Sequence, residues 1–390
     1  MPRFSAARIV NIADLREAAQ RRLPKAVFDY LDGTADDGVT GRDNINAFSD
    51  ITFKPRQAVM TSPDLSTTVL GMKLGLPFLL SPIGYCRLLH PDGDIAAAAA
   101  ARAADTGCIL ATGAGHSLDQ VAPHNDRLFF QVYQMGGRGA VERALARARA
   151  LGVKGIFVTV DTPVGGNRER DPRNGMAALM GSRILPKIRY VPEVLAHPRW
   201  LARFLLDGGV PPMPNVTAED GSPLPAIDVA AALSRANINW TDLSWIRKAW
   251  NGPIIVKGIL RPDDARRAVD EGADGISVSN HGGRQLDCVA SSIRALPAIA
   301  DAVKGKTTIF LDGGIRRGSD IVKALCLGAD ALLVGRAYGY GLAAGGGPGV
   351  TRALDILTAD LVRTMKLLGA DRIADLHPGL VSLKPDFRVD

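Results

Sequence analysis

The string S-N-H-G-G-R-Q-L-D, Ser279 to Asp287, sets a histidine three residues before an arginine with two glycines between them. An imidazole changes charge near neutral pH, so His281 can take a proton. The planar guanidinium of Arg284 can grip a carboxylate through two hydrogen bonds. Together they suit an acid whose neighbouring carbon loses a proton or a hydride. A histidine on its own is more often structural, and it is the nine-residue string at the end of an apolar run that makes this signal specific. Two further strings, D-G-G-I-R-R-G from Asp312 and V-G-R-A from Val334, combine glycines with arginines. Glycine lets backbone N–H groups approach a phosphate, and arginine adds bidentate charge. A ligand or cofactor carrying a phosphate is expected.

Such groups act only if something positions them. Each follows a short apolar run: Pro77–Gly84, Cys108–Gly113, Leu128–Tyr133, Gly155–Asp161, Pro253–Gly258, Gly275–Asn280, Thr308–Gly314 and Ala331–Arg336. These runs are rich in Ile, Val, Leu and Phe without alternation, as buried parallel strands should be. Helical patterns lie between them: Asp92–Thr106 ending at Gly107, Ala140–Leu151 at Gly152, Asp263–Glu271 at Gly272 and Ser319–Leu327 at Gly328. A glycine just past the last turn is the usual stop. Eight alternating units predict an α/β fold, a (β/α)8 barrel closed on itself. In such a barrel the chemistry lies at the C-terminal strand ends. There stand Gln131, Tyr133, Thr159, Asp161, Lys257, Ser279, Asn280, His281, Asp312 and Arg336. The loops after strands seven and eight are its usual phosphate site.

The chain reads as one domain over 1–390. Residues 1–76 are an N-terminal helical extension with a helix start at Asp14. The barrel spans 77–345, with a long, proline-rich, basic insertion at 162–240 between strands four and five. A C-terminal helix and tail fill 346–390. Long loops of this kind are functional or disordered.

Composition excludes several classes. Of 390 residues, 46% are apolar and 22% charged, ordinary for a protein with a large core. The net charge of +7 favours anionic ligands or surfaces, but Lys and Arg are scattered without aromatic interleaving, which argues against nucleic acid. Cys86, Cys108, Cys288 and Cys326 form no C-x-x-C pair and have no histidines at metal spacing. Reduced thiols in a cytoplasmic protein without a bound metal are expected. The N-terminal stretch lacks a signal-peptide core, and no run of eighteen apolar residues exists.

The sequence resembles the FMN-dependent L-2-hydroxy acid dehydrogenases and oxidases, which include glycolate oxidase, L-lactate dehydrogenase and mandelate dehydrogenase. The likeness runs from about Leu23 to beyond Gly349. It is carried by L-P-K-A-V-F-D-Y, N-x-x-A-F, H-P-D-G-D, F-F-Q-V-Y, T-V-D-T-P, R-E-R-D, V-K-G-I and the histidine and phosphate strings above. The resemblance implies His281 as base, Asp161 as stabiliser of the imidazolium, and Arg284 and Arg168 as carboxylate clamp with the Tyr30 hydroxyl. It implies Tyr133 on the substrate hydroxyl and Lys257 beside the flavin edge that gathers negative charge. It also implies FMN contacts from Pro82, Ile83, Gly84, Thr112, Gln131, Thr159, Ser279, Asp312, Gly314, Arg316, Gly335 and Arg336. A homotetramer and a quinone or other electron carrier follow from the same likeness.

Departures narrow the reading. Ala111 stands where many members have a flavin-contacting serine, and Thr112 could replace it only with a shifted backbone. Ile83 stands where threonine is common. Gly113 is bulky in glycolate oxidase, and Gly84 is often alanine, so glycolate is not the expected substrate. The insertion and R-A-L-P-A-I-A-D-A-V-K-G resemble lactate dehydrogenases, while F-D-Y-L-D-G and H-G-G-R-Q-L-D-C equally resemble mandelate dehydrogenase. The leading expectation is L-lactate oxidation. The alternatives are an aryl hydroxy acid dehydrogenase, an oxidase using oxygen, an FMN-dependent isomerase and a non-catalytic scaffold. Within the insertion, a helix over Arg199–Leu206 would share Trp200, Leu201, Phe204 and Leu205 on one face and Arg199 and Arg203 on another, with Lys187 and Arg189 just before it. That pattern suits a helix lying in a membrane interface, at the inner face of the cell membrane. The alternative is that this face packs on the barrel or on a neighbouring subunit.

Overall fold

All eight apolar runs form strands, and the strands close. They are β1 (Phe78–Leu80), β2 (Cys108–Leu110), β3 (Leu128–Val132), β4 (Ile156–Thr159), β5 (Ile254–Ile259), β6 (Gly275–Val278), β7 (Thr308–Asp312) and β8 (Ala331–Val334). Each pairs in parallel with the next, and β8 returns to β1, giving a closed (β/α)8 barrel. The computed structural model describes residues 6–387 except 182, 184, 219, 223, 225–235 and 237.

The period of two along a strand divides the barrel interior into layers. Leu79, Ile109, Phe129, Phe157, Ile255, Phe310, Ala331 and Leu333 point inward and pack as one cluster. Phe157 meets Phe129 and Phe310 edge-on, at centroid distances of 5.7 and 5.4 Å. Burying each such ring stabilises the fold by about 1.5–3 kcal/mol. A hairpin of Thr67–Val69 and Met72–Leu74 in the N-terminal extension closes this end with Val69 and Leu74. Two residues further along the strands, the same inward parity brings Gln131, Thr159, Lys257, Ser279 and Asp312 to the opposite mouth. The barrel is thus apolar at its plugged end and polar at its open one.

The expected helix stops at Gly152, Gly272 and Gly328 hold, each glycine being left-handed at φ 73°, 84° and 108°. Gly107 does not stop its helix. That helix is Gly93–Ala103, and Asp105 takes the left-handed turn at φ 55°. Gly107 serves close approach instead, since a Cβ there would stand 2.6 Å from the Arg127 carbonyl oxygen. The first long helix, Ile12–Arg22, is capped by Asn11, and Asp14 is the third residue of its capping box rather than its start.

The extension also fixes loops at the open mouth. The Asp287 carboxylate accepts from the backbone N–H groups of Thr40 (2.8 Å) and Val39 (3.0 Å), at the start of helix Val39–Asn46. The Ala35 N–H donates to the Gly283 carbonyl, and Asn167 bonds Asp36 through its side-chain amide. The loops after β4 and β6 are therefore tied to the same outer segment. The insertion folds into short helices, among them Arg170–Asn174, Met176–Met180, Val191–Leu195 and Pro198–Leu206. Among the described residues no helix is long and apolar enough to cross a membrane.

Candidate active site

A cavity of about 770 Å³ opens at the C-terminal mouth of the barrel. Of the residues expected there, Tyr30, Pro82, Ile83, Gly84, Gln131, Tyr133, Thr159, Arg168, Lys257, His281, Arg284, Asp312, Gly314, Arg316, Gly335 and Arg336 line it. Asp161 and Ser279 are not among the lining residues, and each hydrogen-bonds one that is, His281 and Lys257 respectively. Thr112 is a correction. Ile109, Ala111 and Gly113 share the inward parity of β2, so Thr112 points outward. Its hydroxyl donates to the Gln131 carbonyl at 2.6 Å and accepts from the Tyr133 N–H at 3.1 Å. It pins β2 to β3 and does not line the cavity, while Ala111 does.

His281 is the first of three left-handed residues, at φ 58°, followed by Gly282 at 67° and Gly283 at 74°. A histidine there stores local strain, about 1–3 kcal/mol, which the surroundings must hold. They do so through the Ser279 hydroxyl, which accepts from the His281 N–H at 3.1 Å. Packing holds it too, since a Cβ on Gly283 would lie 2.7 Å from Gly41. The turn aims the ring inward. Its Nδ1 meets both Asp161 carboxylate oxygens, at 3.2 and 3.3 Å, and its Nε2 lies 3.4 Å from the Tyr133 hydroxyl. Burial pushes the imidazole below its ordinary range; Asp161 opposes this, while Lys257 and Arg168 reinforce it. Burial alone would raise the Asp161 carboxyl, but His281 and Lys257 outweigh it and hold it below the usual carboxylate range. The resting pair is a neutral imidazole against a carboxylate. Burial pushes the Tyr133 phenol up, so it stays a neutral hydroxyl.

Arg284 extends beside Tyr30, its guanidinium 5.3 Å from the ring centroid, and donates to the Gly33 carbonyl at 2.8 Å. Arg168 donates to the Arg284 carbonyl at 3.4 Å. Burial, then the nearby Arg168 and Arg336, push the Arg284 guanidinium down to about 9. Among the described residues Arg284, Arg168, Arg316 and Arg336 form no ion pair with a carboxylate. Partly buried cations crowded in this way call for an anionic ligand.

The deep end of the cavity fits the FMN implied by the resemblance. Arg336 is held by the Leu31, Gly282 and Gly33 carbonyls, and Gly313 and Gly314 take left-handed turns at φ 102° and 79°. These groups, with Arg316 and Gly335, leave cations and bare backbone for a phosphate. Lys257 bonds the Ser279 hydroxyl at 2.8 Å and pairs with Asp312 at 2.9 Å. Burial disfavours its charge, but Asp312 and Asp161 raise it on balance, so a fixed cation stands in the interior. Gln131 donates to the Thr159 hydroxyl at 3.1 Å, which orients both side chains.

Three contributors went unassigned from sequence. Gln285 ties the loops together, donating to the Asp161 and Val164 carbonyls at 2.9 Å each and accepting from the Gly166 N–H. Asp171 lines the cavity near Arg284 and Arg168, its carboxyl raised by burial. Met213, from the insertion, reaches over Gly113. Spacing signalled none of them, although Gln285 and Asp171 lie within the strings that carry the resemblance.

The insertion helix Pro198–Leu206 resolves the two readings of its apolar face. Trp200 is only 6% exposed; its indole N–H donates to the Leu88 carbonyl at 2.8 Å and its ring stacks on Phe204 at 4.7 Å. Leu201 and Phe204 pack against the same core. The Trp200 face therefore docks on the barrel. The exposed apolar residues are Leu205 and Leu206, at 63% and 89%, with Leu185, Ile188, Val191 and Leu195 on the preceding helices.

Comparison with known proteins agrees with this geometry. Residues 19–383 match the model of the FMN-dependent dehydrogenase family. The chain is 43% identical over 373 residues to the L-lactate dehydrogenase of Ectopseudomonas mendocina (strain ymp), covering 94% of this chain and 97% of that one. It is 43% identical over 376 residues to the L-lactate dehydrogenase of Stenotrophomonas maltophilia (strain R551-3), covering 95% and 98%. Among solved structures, the monotopic membrane protein (S)-mandelate dehydrogenase superposes with a TM-score of 0.89 at 38% identity, covering 97% of this chain and all of that one. A mandelate oxidase superposes with a TM-score of 0.81 at 33% identity, covering 96% and 98%. With the barrel, the His281–Asp161 pair and the cationic cavity in place, the chain belongs to the FMN-dependent dehydrogenase family.

Proposed function

We infer that the chain oxidises a small L-2-hydroxy acid of the L-lactate class to its 2-oxo acid and passes the electrons to a quinone or another carrier. The observation that carries this reading is the partly buried His281–Asp161 pair beside Arg284 and Arg168, which offers one base and one carboxylate clamp within a single cavity. The relatives named L-lactate dehydrogenase support the substrate class.

The chain's own residues divide the work. Arg284 and Arg168 bind the substrate carboxylate and relieve their own crowding in doing so, with the Tyr30 hydroxyl beside them. Tyr133 donates toward the substrate oxygen. His281 Nε2 accepts one proton from the CH–OH unit, and the imidazolium is stabilised by the Asp161 carboxylate at Nδ1. FMN, when bound, supplies the two-electron acceptor. Lys257 favours negative charge in the barrel interior. The deciding experiment is stopped-flow reduction of the bound flavin by a panel of L- and D-2-hydroxy acids, followed by reoxidation with oxygen or a quinone. The protein should carry non-covalent FMN and be reduced by L-lactate but not D-lactate. A folded protein without FMN, or one that no 2-hydroxy acid reduces, overturns the reading.

A peripheral membrane surface is favoured by the apolar residues the insertion leaves exposed, with Lys187 and Arg189 near them. The match to a monotopic membrane protein supports it. Wild type should co-sediment with anionic vesicles, less so in high salt. Leu205→Glu/Leu206→Glu should stay in solution with its FMN retained, and equal partitioning of the two proteins would return this surface to ordinary solvent exposure.

A further inference from the structure

The carboxylate clamp takes the substrate's carboxylate, and His281 with Tyr133 faces its CH–OH unit. The remaining substituent of the reacting carbon, its side chain, is left to face the rest of the cavity wall, where Gly84, Tyr85, Gly113, Met135 and Met213 stand. The barrel itself imposes little limit here, because two of these positions are glycine. At Gly84 an added Cβ would stand 3.2 Å from the Tyr30 hydroxyl. At Gly113 it would stand 3.5 Å from the Met213 Cε and 3.8 Å from its Sδ. The space opened by the missing side chain at 113 is therefore bounded by a thioether from the insertion.

Met213 is firmly placed. It is 3% exposed and packs with Met135 and Val216, against Tyr85 and Tyr133. The Val216 N–H donates to its carbonyl at 3.1 Å. Asn215 clamps the stretch to the loop after β2: its amide oxygen accepts from the Leu118 N–H at 2.9 Å and its amide nitrogen donates to the His116 carbonyl at 2.8 Å. On the other side the chain crosses Gly136 so closely that a Cβ there would overlap the Thr217 carbonyl oxygen.

We propose that Met213 is the specificity-determining wall of the substrate side-chain pocket, limiting it to short aliphatic groups that a smaller residue would extend to an aryl group. The inference rests on the hydroxy-acid reading above. An unbranched thioether fills an irregular apolar gap well. The fit of one or two carbons in such a gap decides between substrates by about 10–200-fold per methylene.

The test compares FMN-loaded wild type, Met213→Ala, Met213→Leu and Gly113→Ala. It reads kcat/KM for L-mandelate against L-lactate, and the Kd of phenylglyoxylate against pyruvate by calorimetry. Met213→Ala should move both ratios toward the aryl compound by about tenfold or more. Met213→Leu, similar in volume, should stay within about threefold of wild type. Gly113→Ala, whose added carbon fits beside Met213, should move both ratios toward lactate and pyruvate. Ratios unchanged within about twofold in both alanine variants, with FMN retained, overturn the proposal while leaving the hydroxy-acid reading intact. Should Met213→Ala fail to hold FMN, the direction of the Gly113→Ala shift decides alone. A wild type that neither oxidises a 2-hydroxy acid nor binds a 2-oxo acid overturns the reading and this proposal together.

Discussion

His281→Ala will slow reduction of the bound flavin by at least about a hundredfold while leaving FMN in place, the usual scale for losing general-base help. His281 and the proposed phosphate groups, Arg316, Arg336 and the glycine turns, are separate parts of the cavity lining, so on the proposed reading retention and rate separate. The pH dependence follows from the direction of the shift. Burial, Lys257 and Arg168 hold the imidazole below its ordinary range, so the base form already dominates at neutral pH. The rate of flavin reduction should be flat there and fall only on the acid side, below the range of an unperturbed histidine. Asp161 works in the opposite direction, raising the imidazole. Asp161→Asn should therefore move the acid limb to still lower pH while slowing reduction, because the imidazolium loses its partner. Stopped-flow reduction across pH checks both. An undiminished rate in His281→Ala would remove this residue from the chemistry.

Arg284→Met should lower kcat/KM by roughly 30- to 5,000-fold, equivalent to about 2–5 kcal/mol for truncating one side of a buried charged contact. The variant should keep its FMN and its fold. In the substrate-free enzyme Arg284 is pushed down to about 9 by burial and by Arg168 and Arg336, and its own hydrogen bond is to the Gly33 carbonyl. Removing it relieves like-charge crowding and loses one neutral acceptor contact, so the thermal midpoint should change little. Arg284→Lys should fall between wild type and Arg284→Met, because it keeps the charge but not the fork. A kcat/KM within about threefold of wild type in Arg284→Met would place the carboxylate elsewhere.

How legible the site was depends on sequence distance. His281, Arg284 and their glycines are neighbours in the chain, so their place in one cavity could be read from one string. The same holds for the phosphate turns. Asp161 and His281 lie 120 residues apart, yet the sequence places both at the same mouth because each follows a strand, and strand ends share one mouth in this architecture. Thr112 went wrong at the smallest scale. The strand was identified, but its parity was not applied, and a shift of one residue turns a side chain from the interior to the outside.

What the amino-acid sequence determined by itself is the barrel and the chemistry at its mouth. Buried parallel strands must be apolar on both faces, left-handed turns select glycine, and a run that ends in a polar residue marks the open end. Only the tertiary structure decided the fate of the insertion. A two-turn helix with an apolar face is equally satisfied by lipid or by a barrel, and nothing in its own residues selects between them. The Trp200 indole found the Leu88 carbonyl and settled on the protein, leaving Leu205 and Leu206 outside. Met213 met Gly113, a hundred positions away, only because Asn215 and Gly136 route the chain between two loops. Contacts of that kind depend on the path of the backbone in space, and local propensity and periodicity carry no record of it.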